Sequence, residues 1–400
     1  MPHIEISPPL LDSGEEGVVR PTQVIVDLEA LAHNFQEIRR WVHPAGVMAV
    51  LKANAYGHGL VPVARLLAHL GADYLGVAVL EEGILLRRAG IRTPILVLGG
   101  VLGSRIPLFL KYDLTLTASS METLRQINEA AGALGRRARV HLKIDTGMER
   151  IGVHAENAER FLEEAVRCRH IHLEGIYSHF ANADLPDPAP TRWQWDRFQE
   201  VLGFFERHSL PMPLRHIANS AALVRFPETH LDLVRPGILL YGVYPSEAVP
   251  RRLSVRPALT WKTRVVYLKV VPQGRGVSYG WTWRAPRATR VATLPVGYGD
   301  GYFRALSNRA QVLLRGRRHP QVGTICMDQM MVQVEQEVPV AVGDEVVLIG
   351  CQGPACIPVE EVARWAGTIP YEVLTSINTR VPRVYRGPET LLRVLQDRQR

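Results

Sequence analysis

Val47-Met-Ala-Val-Leu-Lys-Ala-Asn-Ala-Tyr-Gly-His-Gly59 is a short apolar run that ends on Lys52 and continues into small residues, an aromatic residue and glycines. The run is partly β-branched and lies between Gly46 and Gly57, which favours a buried strand over a helix. The chain has only five lysines among its 47 Lys and Arg residues. Arginine keeps its proton under almost any condition, whereas a buried lysine can lose it and become a nucleophile. Lys52 is therefore the first candidate for covalent chemistry.

Short apolar strands alternate with helical patterns from Val47 onward. Eight such strands with crossover helices over about 200 residues are the count and length of a (β/α)8 barrel of the TIM type. A helix is predicted over residues 28–42, and Ser119 with Glu122 forms a capping box before another helix. The predicted strands are Val47–Leu51, Tyr74–Val79, Ile95–Leu98, Leu114–Thr117, Val140–Ile144, His172–Tyr177, Arg215–Ala218 and Leu233–Leu240.

The pattern changes after Pro250 to β-rich segments separated by glycine, proline and polar turns, which predicts a second, mostly antiparallel β-domain. We therefore divide the chain into a mobile leader (residues 1–20), a barrel (21–255) and a β-domain (256–400). The strand near residues 23–27 is assignable to either folded domain. The predicted β-domain elements are Leu259–Val271, Arg290–Leu294, Ala310–Leu314, Gln329–Val334 and Glu345–Ile349, followed by helices over Val359–Trp365 and around Tyr371–Asn378.

The composition limits the class of partner. The 400-residue chain has a formal net charge of +8, but its basic residues form no dense block or stripe interleaved with aromatics, so a nucleic-acid partner is not predicted. The four cysteines follow no zinc or disulfide-framework spacing, and neither a signal peptide nor a membrane span is recognisable. We expect a cytoplasmic protein with no metal site and no membrane partner. Cys351 and Cys356 are expected as free thiols, with closure of a loop as the alternative.

Polar residues collect directly after five of the predicted strands, where barrel enzymes carry their chemistry. Each set also has a structural interpretation. His179 and His216 are typical of hydrogen-bonded structural histidines, Asn219-Ser220 of a helix cap, and Asp145 of a partner for Arg150. Five such coincidences at one face favour a functional site. The sets are Lys52–Tyr56, Lys143–Arg150, His179–Asp184, His216–Ser220 and Arg235–Tyr241.

An ordered series of motifs resembles the alanine racemases, pyridoxal-phosphate enzymes built from a barrel and a β-domain. The resemblance spans roughly residues 21–385, and the order of the motifs makes it specific. The motifs are Ala49-Val-Leu-Lys-Ala-Asn-Ala-Tyr-Gly-His-Gly59, Lys143-Ile-Asp-Thr-Gly-Met-Glu-Arg-Ile-Gly152, His216-Ile-Ala-Asn-Ser220, Arg235-Pro-Gly-Ile-Leu-Leu-Tyr-Gly242, Val277-Ser-Tyr-Gly-Trp-Thr282, Pro295-Val-Gly-Tyr-Gly-Asp-Gly301, Cys326-Met-Asp-Gln329 and Arg380-Val-Pro-Arg383.

The resemblance implies a role for each matched residue. Lys52 would bind pyridoxal 5'-phosphate covalently and act as a base on one face of the substrate α-carbon, with Tyr279 of a partner subunit on the other, so a homodimer is implied. Arg235 would lie against the pyridine nitrogen with His179 behind it, and the product D-alanine would serve bacterial peptidoglycan. The remaining implied residues are Tyr56, Asn219, Ser220, Gly237 and Ile238 at the cofactor, and Arg150, Tyr298, Met327, Asp328, Thr379 and Lys143, which resembles an often carbamylated position, at the substrate or in support.

The implied chemistry needs these residue types. Racemisation requires a proton donor or acceptor on each face of the α-carbon. A tyrosine pKa near 10 lies about three units above neutral pH, worth roughly 4 kcal/mol, so Tyr279 needs a cationic neighbour, for which Arg150 is the candidate. Arginine at the pyridine nitrogen cannot give up a proton, so it leaves the ring neutral and discourages side reactions.

Two positions depart from the family pattern. Thr379 stands where tyrosine is common, which implies a looser pocket that accepts serine or another small amino acid. Glu149 stands where glycine is common and adds charge beside Arg150. Two other classes remain as alternatives: a decarboxylase of the same fold, which would place an acidic residue where Arg235 stands, and a non-catalytic pyridoxal-phosphate carrier, which would consist of the barrel alone.

Overall fold

A computed structural model describes residues 3–6 and 20–396, and they divide into two compact units. The predicted leader, residues 1–20, falls mostly outside the described residues, but its segment His3–Ile6 is a strand paired antiparallel with Arg383–Arg386. Among the described residues, we call the units the β-unit, which contains His3–Ile6, 20–31, Tyr56–Gly59 and 256–393, and the barrel unit, which contains Ala32–Ala55, Leu60–Val255 and 394–396.

The barrel unit contains a closed ring of eight parallel strands, as predicted. The last strand pairs with the first, Leu233 opposite Gly46. Two further junctions close the ring: a parallel bridge joins Leu96 to Thr115, and the backbone N–H of Arg235 donates to the carbonyl of Ala218. The strands are Gly46–Val50, Tyr74–Val77, Ile95–Val97, Leu116–Ala118, Ala138–Asp145, Ile171–Tyr177, Leu214–His216 and Leu233–Val234.

Helices alternate with these strands. The predicted helix over residues 28–42 has those bounds, but the cap predicted at Ser119 lies at Ser120, whose side chain accepts the backbone N–H of Thr123. None of the described helices is long and apolar enough to cross a bilayer. The α-helices up to residue 225 are Leu28–Val42, Leu60–His69, Leu80–Arg88, Ile106–Lys111, Met121–Ala133, Ala158–Arg167, Ala189–Arg207 and Ala222–Arg225.

The β-unit is mostly antiparallel, as predicted. Its larger sheet runs in the order His3–Ile6, Arg383–Arg386, Gln23–Asp27, Leu259–Arg264, Glu345–Gln352, Gln311–Leu314 and Arg317–Pro320, with Ala355–Ile357 also on Glu345–Gln352. Gln23–Asp27 therefore lies in this sheet. The smaller elements are a three-stranded sheet of Tyr267–Val271, Thr289–Leu294 and Met330–Val334, a hairpin of Gly276–Val277 and Trp283–Arg284, and the helices Val359–Ala366, Pro370–Ser376 and Glu389–Gln396.

Two expectations for this unit need correction. The segment predicted as one strand over 259–271 is two strands in different sheets, because at the break the backbone N–H of Val265 donates to Asp344 and that of Val266 to Thr293. Cys351 and Cys356, expected as free thiols, form a disulfide. The hairpin register places them directly opposite each other, with their Cα atoms 4.1 Å apart.

Candidate active site

The carboxyl ends of the barrel strands carry many of the predicted site residues. Lys52 follows the first strand, Lys143 lies near the end of the fifth, and Arg235 follows the last. The predicted residues are nevertheless divided between the two units. The barrel unit contains Lys52, Lys143, Arg150, His179, Asn219, Ser220, Arg235, Gly237 and Ile238, and the β-unit contains Tyr56, Tyr279, Tyr298, Met327, Asp328 and Thr379.

Lys52 is followed by a left-handed turn of the backbone, with φ values of 53°, 56° and 53° at Ala53, Asn54 and Ala55. This conformation costs an L-residue roughly 1–2 kcal/mol, so the turn needs fixed partners. Oδ1 of Asn54 accepts from the backbone N–H of Leu60 at 2.8 Å, and Oε1 of Glu82 accepts from that of Ala53 at 2.7 Å. The turn thereby ends the strand abruptly at Lys52.

The amine of Lys52 is partly buried among cations. Burial lowers its pKa, the charges of Arg150 and Arg235 act in the same direction, and the carboxylate of Glu82 opposes them. A lysine with a lowered pKa is more often unprotonated and therefore more nucleophilic.

Arg235 is a buried cation held on several sides. Its Nη1 donates to Nδ1 of His216 at 2.8 Å, and its Nη2 donates to the carbonyl of Ser178 at 2.6 Å and to Nδ1 of His179 at 3.1 Å. Burial lowers the pKa of Arg235 to about 10. Burial and then the charge of Arg235 push the pKa values of both histidines well below the ordinary value, so they accept as neutral rings. The side chain therefore presents a fixed donor that is charged at neutral pH.

Lys143 is the second buried lysine of the barrel unit. Its Nζ donates to the carbonyl of Ile144 at 2.7 Å and lies 5.5 Å from the ring centre of Tyr177. Burial lowers its pKa to about 7; Asp145 opposes the shift, and the charge of Arg235 adds to it. A substantial share of this amine is therefore uncharged at neutral pH.

Asp145 organises the loop that carries Arg150. Its Oδ1 accepts the backbone N–H groups of Gly147 and Met148 at 2.8 and 2.9 Å. The expected pairing with Arg150 is made by the backbone N–H of Arg150, 3.2 Å from Oδ2, rather than by its guanidinium. Glu149 has a φ of 53°, which explains why glycine suits this position.

Ser220 and Asn219 have different tasks. Oδ1 of Asn219 accepts the backbone N–H groups of Ala221 and Ala222 at 3.1 and 3.0 Å, so Asn219 acts as the cap that the sequence indicated. The hydroxyl of Ser220 is buried and accepts the backbone N–H of Gly237 at 2.8 Å. A hydroxyl and backbone N–H groups converge here, a donor set that suits a phosphate.

Tyr279 projects from the β-unit on a strained loop and is 72% exposed. Ser278, before it, has a φ of 63° and donates from its hydroxyl to the carbonyl of Thr324 at 2.5 Å. Thr324 in turn donates from Oγ1 to the carbonyl of Tyr279 at 2.8 Å. Tyr279 also lines an open groove of about 1090 Å³ together with Tyr267, Lys269, Val270, Arg275, Trp281 and Met331.

Three of the remaining predicted residues of the β-unit lie on two loops joined by hydrogen bonds. The backbone N–H of Tyr298 donates to the carbonyl of Cys326 at 3.1 Å, which places Tyr298 beside the loop of Met327 and Asp328. Arg380 forms an ion pair with Asp328. Thr379, the residue before Arg380, is exposed.

Tyr56 is placed differently from the other predicted cofactor residues. It is buried in the β-unit, where its ring centre lies 6.1 Å from that of Tyr371. Burial raises its pKa. The structure does not bring Tyr56 into the same unit as Ser220 and Gly237.

The structure adds residues that the sequence analysis did not select. His141 is fully buried, and its Nδ1 lies 2.8 Å from Nε2 of His216. Tyr177 stacks on His216, with the ring centres 4.8 Å apart and the planes 5° apart. A signal for His141 was present: it alternates with Lys143 and Asp145 along one strand, so the three share a face.

The donor set fits a cofactor with an aldehyde and a phosphate. Lys52 supplies an amine of lowered pKa, Arg235 a fixed cation, and Ser220 with Gly237 a hydroxyl and a backbone N–H. Within the described residues, His, Cys, Asp and Glu side chains form no group of three that could hold a metal ion.

Comparisons with known proteins agree with this arrangement. The family model for the alanine racemase N-terminal domain matches residues 26–245, and that for the C-terminal domain matches residues 258–385. The alanine racemase of Halothermothrix orenii is 46% identical, covering 92% of this chain and 98% of that protein. That of Desulforamulus reducens is 49% identical, covering 92% and 99%.

Solved structures of alanine racemases superpose on most of this chain. An alanine racemase of Clostridium difficile superposes with a TM-score of 0.88 at 39% identity, covering 92% of this chain and 96% of that one. An alanine racemase from Bartonella henselae, solved with covalently bound pyridoxal phosphate, superposes with a TM-score of 0.84 at 27% identity, covering 92% and 99%.

The chain is thus one of the proteins in which a (β/α)8 barrel with a partly buried lysine after its first strand is followed by a mostly antiparallel β-domain. Within that class it belongs to the alanine racemase family.

Proposed function

We propose that this chain interconverts L- and D-alanine with pyridoxal 5'-phosphate as cofactor, and thereby supplies D-alanine for bacterial peptidoglycan. The observation that carries the proposal is that one unit of a chain of this family contains both Lys52, whose pKa burial lowers, and the buried cation Arg235. The bound cofactor supplies the electron sink that acidifies the substrate α-proton.

The cofactor-binding residues follow from the donor set. Lys52 would hold the cofactor through its amine, and Ser220 with the backbone of Gly237 would bind the phosphate. Arg235, supported by His179, would serve the pyridine nitrogen. Tyr56, Asn219 and Ile238 complete the proposed contacts, of which Asn219 acts by capping the segment after Ser220.

Lys52 and Tyr279 are the two proposed bases. One of them takes the proton from one face of the α-carbon, and the other returns a proton to the opposite face. The proton-carrying atoms are Nζ of Lys52 and Oη of Tyr279. Arg150 supports Tyr279 by favouring its anion. Met327 and Asp328 line the substrate pocket from the other chain, and Tyr298 is a further proposed residue of the substrate site.

We propose that the active unit is a homodimer in which Tyr279 serves the site of the partner subunit. Large apolar side chains around the groove of the β-unit are unusually exposed, which is typical of an interface. Their exposed fractions are 56% for Tyr267, 60% for Val270, 72% for Tyr279 and 63% for Trp281; Met327, which follows the groove residue Cys326 in sequence, is 53% exposed. Sedimentation should give a dimer, and mixing Lys52→Ala and Tyr279→Phe subunits should restore part of the activity.

Lys143 is proposed to be carbamylated. Carbon dioxide reacts with an uncharged amine, and the pKa of about 7 leaves much of Lys143 in that form at neutral pH. The product carries a negative charge that would offset the cations Arg150 and Arg235. A carbamate signal in ¹³C NMR with labelled bicarbonate, absent in Lys143→Met, is the expected result.

A broader racemase that accepts serine is the second candidate, favoured by the small and exposed Thr379. The decarboxylase alternative is disfavoured because Arg235, buried and bonded to two histidines, stands where an acid would be needed.

The location of the protein is proposed to be cytoplasmic. The proposal rests on the cysteine spacing, and the disulfide between Cys351 and Cys356 argues against it. Alkylation of thiols in intact cells, followed by mass spectrometry, distinguishes two free thiols from four. Four would support a reducing compartment such as the cytoplasm, and two would count against it.

Purified holoenzyme tests the main proposal. It should convert L-alanine to D-alanine by chiral chromatography and incorporate deuterium at Cα in D₂O, with serine measured in parallel. Release of carbon dioxide without any D-amino acid would contradict it.

A further inference from the structure

A β-bulge in the barrel turns Glu174 inward. In the pairing of Ile171–Tyr177 with Ala138–Asp145, Val140 is opposite Leu173 but His141 is opposite Gly175, so Glu174 is the extra residue. A bulge re-aims a side chain. Here, Oε2 of Glu174 accepts the hydroxyls of Tyr74 and, at 3.2 Å, Thr115.

Gly175 makes room for the ring beside this carboxylate. A Cβ atom on Gly175 would lie 2.6 Å from Nδ1 and Cε1 of His141. The absence of a side chain at Gly175 therefore allows the fully buried imidazole of His141 to lie next to Glu174.

A chain of polar contacts runs from Arg235 to Glu174. Nη1 of Arg235 lies 2.8 Å from Nδ1 of His216, Nε2 of His216 lies 2.8 Å from Nδ1 of His141, and Nε2 of His141 lies 3.5 Å from Oε2 of Glu174. Within the described part of the chain, that buried Nε2 has no hydrogen bond of ordinary geometry, so its contact with the carboxylate of Glu174 is a long one.

The residues at the two ends of this series of contacts, Arg235 and Glu174, fix the direction in which every hydrogen bond between them is donated. A guanidinium only donates, so Nδ1 of His216 accepts and its proton is on Nε2. His216 then donates to Nδ1 of His141, whose proton is also on Nε2 and points to Glu174. A carboxylate only accepts, so both ends require the same pair of tautomers.

The protonation states agree with this direction. Burial lowers the pKa of both histidines, which keeps the rings neutral. Burial acts to raise the pKa of Glu174, but hydrogen bonds from His141 and Tyr74 outweigh it and hold that pKa at about 2.

We propose that Glu174 is a positioning residue for Arg235: acting through His141 and His216, its carboxylate secures Nδ1 of His216 as the acceptor that Arg235 requires. The effect on turnover rests on the proposed function, whereas the tautomers do not. Without an acceptor at Glu174, the Nε2 proton of His141 is buried and unpaired. The other tautomer of His141, protonated on Nδ1, then competes with the one that Arg235 requires.

Histidine ¹⁵N NMR of the apoprotein tests the tautomers, with His141→Gln and His216→Gln used for assignment. We expect both rings in wild type to be neutral and protonated on Nε2 between about pH 6 and 8. In Glu174→Leu the signals of both rings should shift, and in Glu174→Gln, which keeps an acceptor, the tautomers should remain. Glu361→Leu is the matched control, because the side chains of Glu174 and Glu361 are both 18% exposed.

Kinetics of the holoenzyme supply the second readout. Glu174→Leu should lower kcat about tenfold with KM for L-alanine nearly unchanged, and Glu174→Gln should recover most of the loss. An Nδ1-protonated ring in wild type, or equal losses for Leu and Gln, would overturn the inference.

Two further results separate the possible failures. If Glu174→Leu does not fold, Tyr74→Phe removes one donor to the carboxylate and should shift the Nε2–H signal of His141; an unchanged signal would count against the inference. If the wild-type apoprotein has the expected tautomers but the holoenzyme has no racemase activity, the role of Glu174 in fixing the tautomers would be supported and the proposed function would be refuted.

Discussion

Oδ1 of Asn54 accepts the backbone N–H of Leu60 over 2.8 Å, and this bond closes the left-handed turn behind Lys52. Asparagine suits both tasks, since it tolerates a positive φ and its short side chain reaches a nearby backbone group. The same bond caps the helix Leu60–His69 at its first residue.

Asn54→Ala should therefore destabilise the protein by about 1–2 kcal/mol, because the cap is lost and alanine must adopt a left-handed conformation. Urea unfolding measures the loss. Asn54→Asp keeps an acceptor and serves as the control; if it loses as much as alanine, the side-chain bond is not what supports the turn.

Lys143 predicts a specific pH dependence of stability. Its pKa is lowered from 10.5 to about 7, so above pH 7 the unfolded chain binds more protons than the folded one. The contribution of Lys143 to stability should rise from pH 7 to 9.5. Its slope should approach about 1.4 kcal/mol per pH unit, the value expected when the unfolded chain binds one proton more than the folded chain.

The measurement is urea unfolding of wild type and Lys143→Met in buffers free of carbon dioxide. The difference between the two proteins should change with pH in the stated direction. Lys111→Met, at an exposed lysine of the same unit, should leave the slope as it is in wild type. A parallel pH profile for wild type and Lys143→Met would contradict the prediction.

Tyr279→Phe should lower racemisation about 10²–10⁴-fold, since it removes only the phenolic hydroxyl, the group that would take or return the proton. The visible absorbance of the bound cofactor should persist, because Lys52 is intact. Tyr267→Phe is the control, as this tyrosine lines the same groove and is 56% exposed. Equal losses in both variants would indicate a general effect on the surface instead of a base at Tyr279.

Thr379→Tyr should raise selectivity for alanine over serine, because the larger ring would narrow the pocket. The comparison is kcat/KM for the two amino acids in wild type, in this variant and in Thr375→Tyr, an exposed threonine on the helix Pro370–Ser376. Unchanged selectivity in Thr379→Tyr would sink the proposal of a looser pocket.

The disulfide predicts a thiol count and a modest stabilisation. Oxidised protein should show two free thiols, those of Cys168 and Cys326. The bond spans a sequence separation of 5, and closing so short a loop stabilises by about 2 kcal/mol through the unfolded chain. Cys351→Ser with Cys356→Ser should lose that amount on thermal unfolding, whereas Cys168→Ser should not.

The sequence alone predicted the eight barrel strands because each is a short apolar run between turn residues, and this pattern is local. The bounds of the last one were wrong: the strand predicted over Leu233–Leu240 ends at Val234, and Ile238–Tyr241 is a 3-10 helix. The sequence also drew attention to Lys52 and Arg235, which directly follow strands. It was wrong where distant hydrogen bonds decide the structure, as at the break after Arg264, where the chain leaves one sheet for another.

The sequence by itself determined the alternation of strands and helices, the two-domain order and the ordered motifs of the family, because these depend on residue type and spacing. Only the tertiary structure decided that Glu174 turns inward at a bulge, that His141 joins His216, and that Cys351 meets Cys356. Register and contacts between strands arise from packing across the whole unit, and no local pattern specifies them. The importance of Lys52 could be predicted from the sequence, but the buried contacts from Arg235 through His216 and His141 to Glu174 could not.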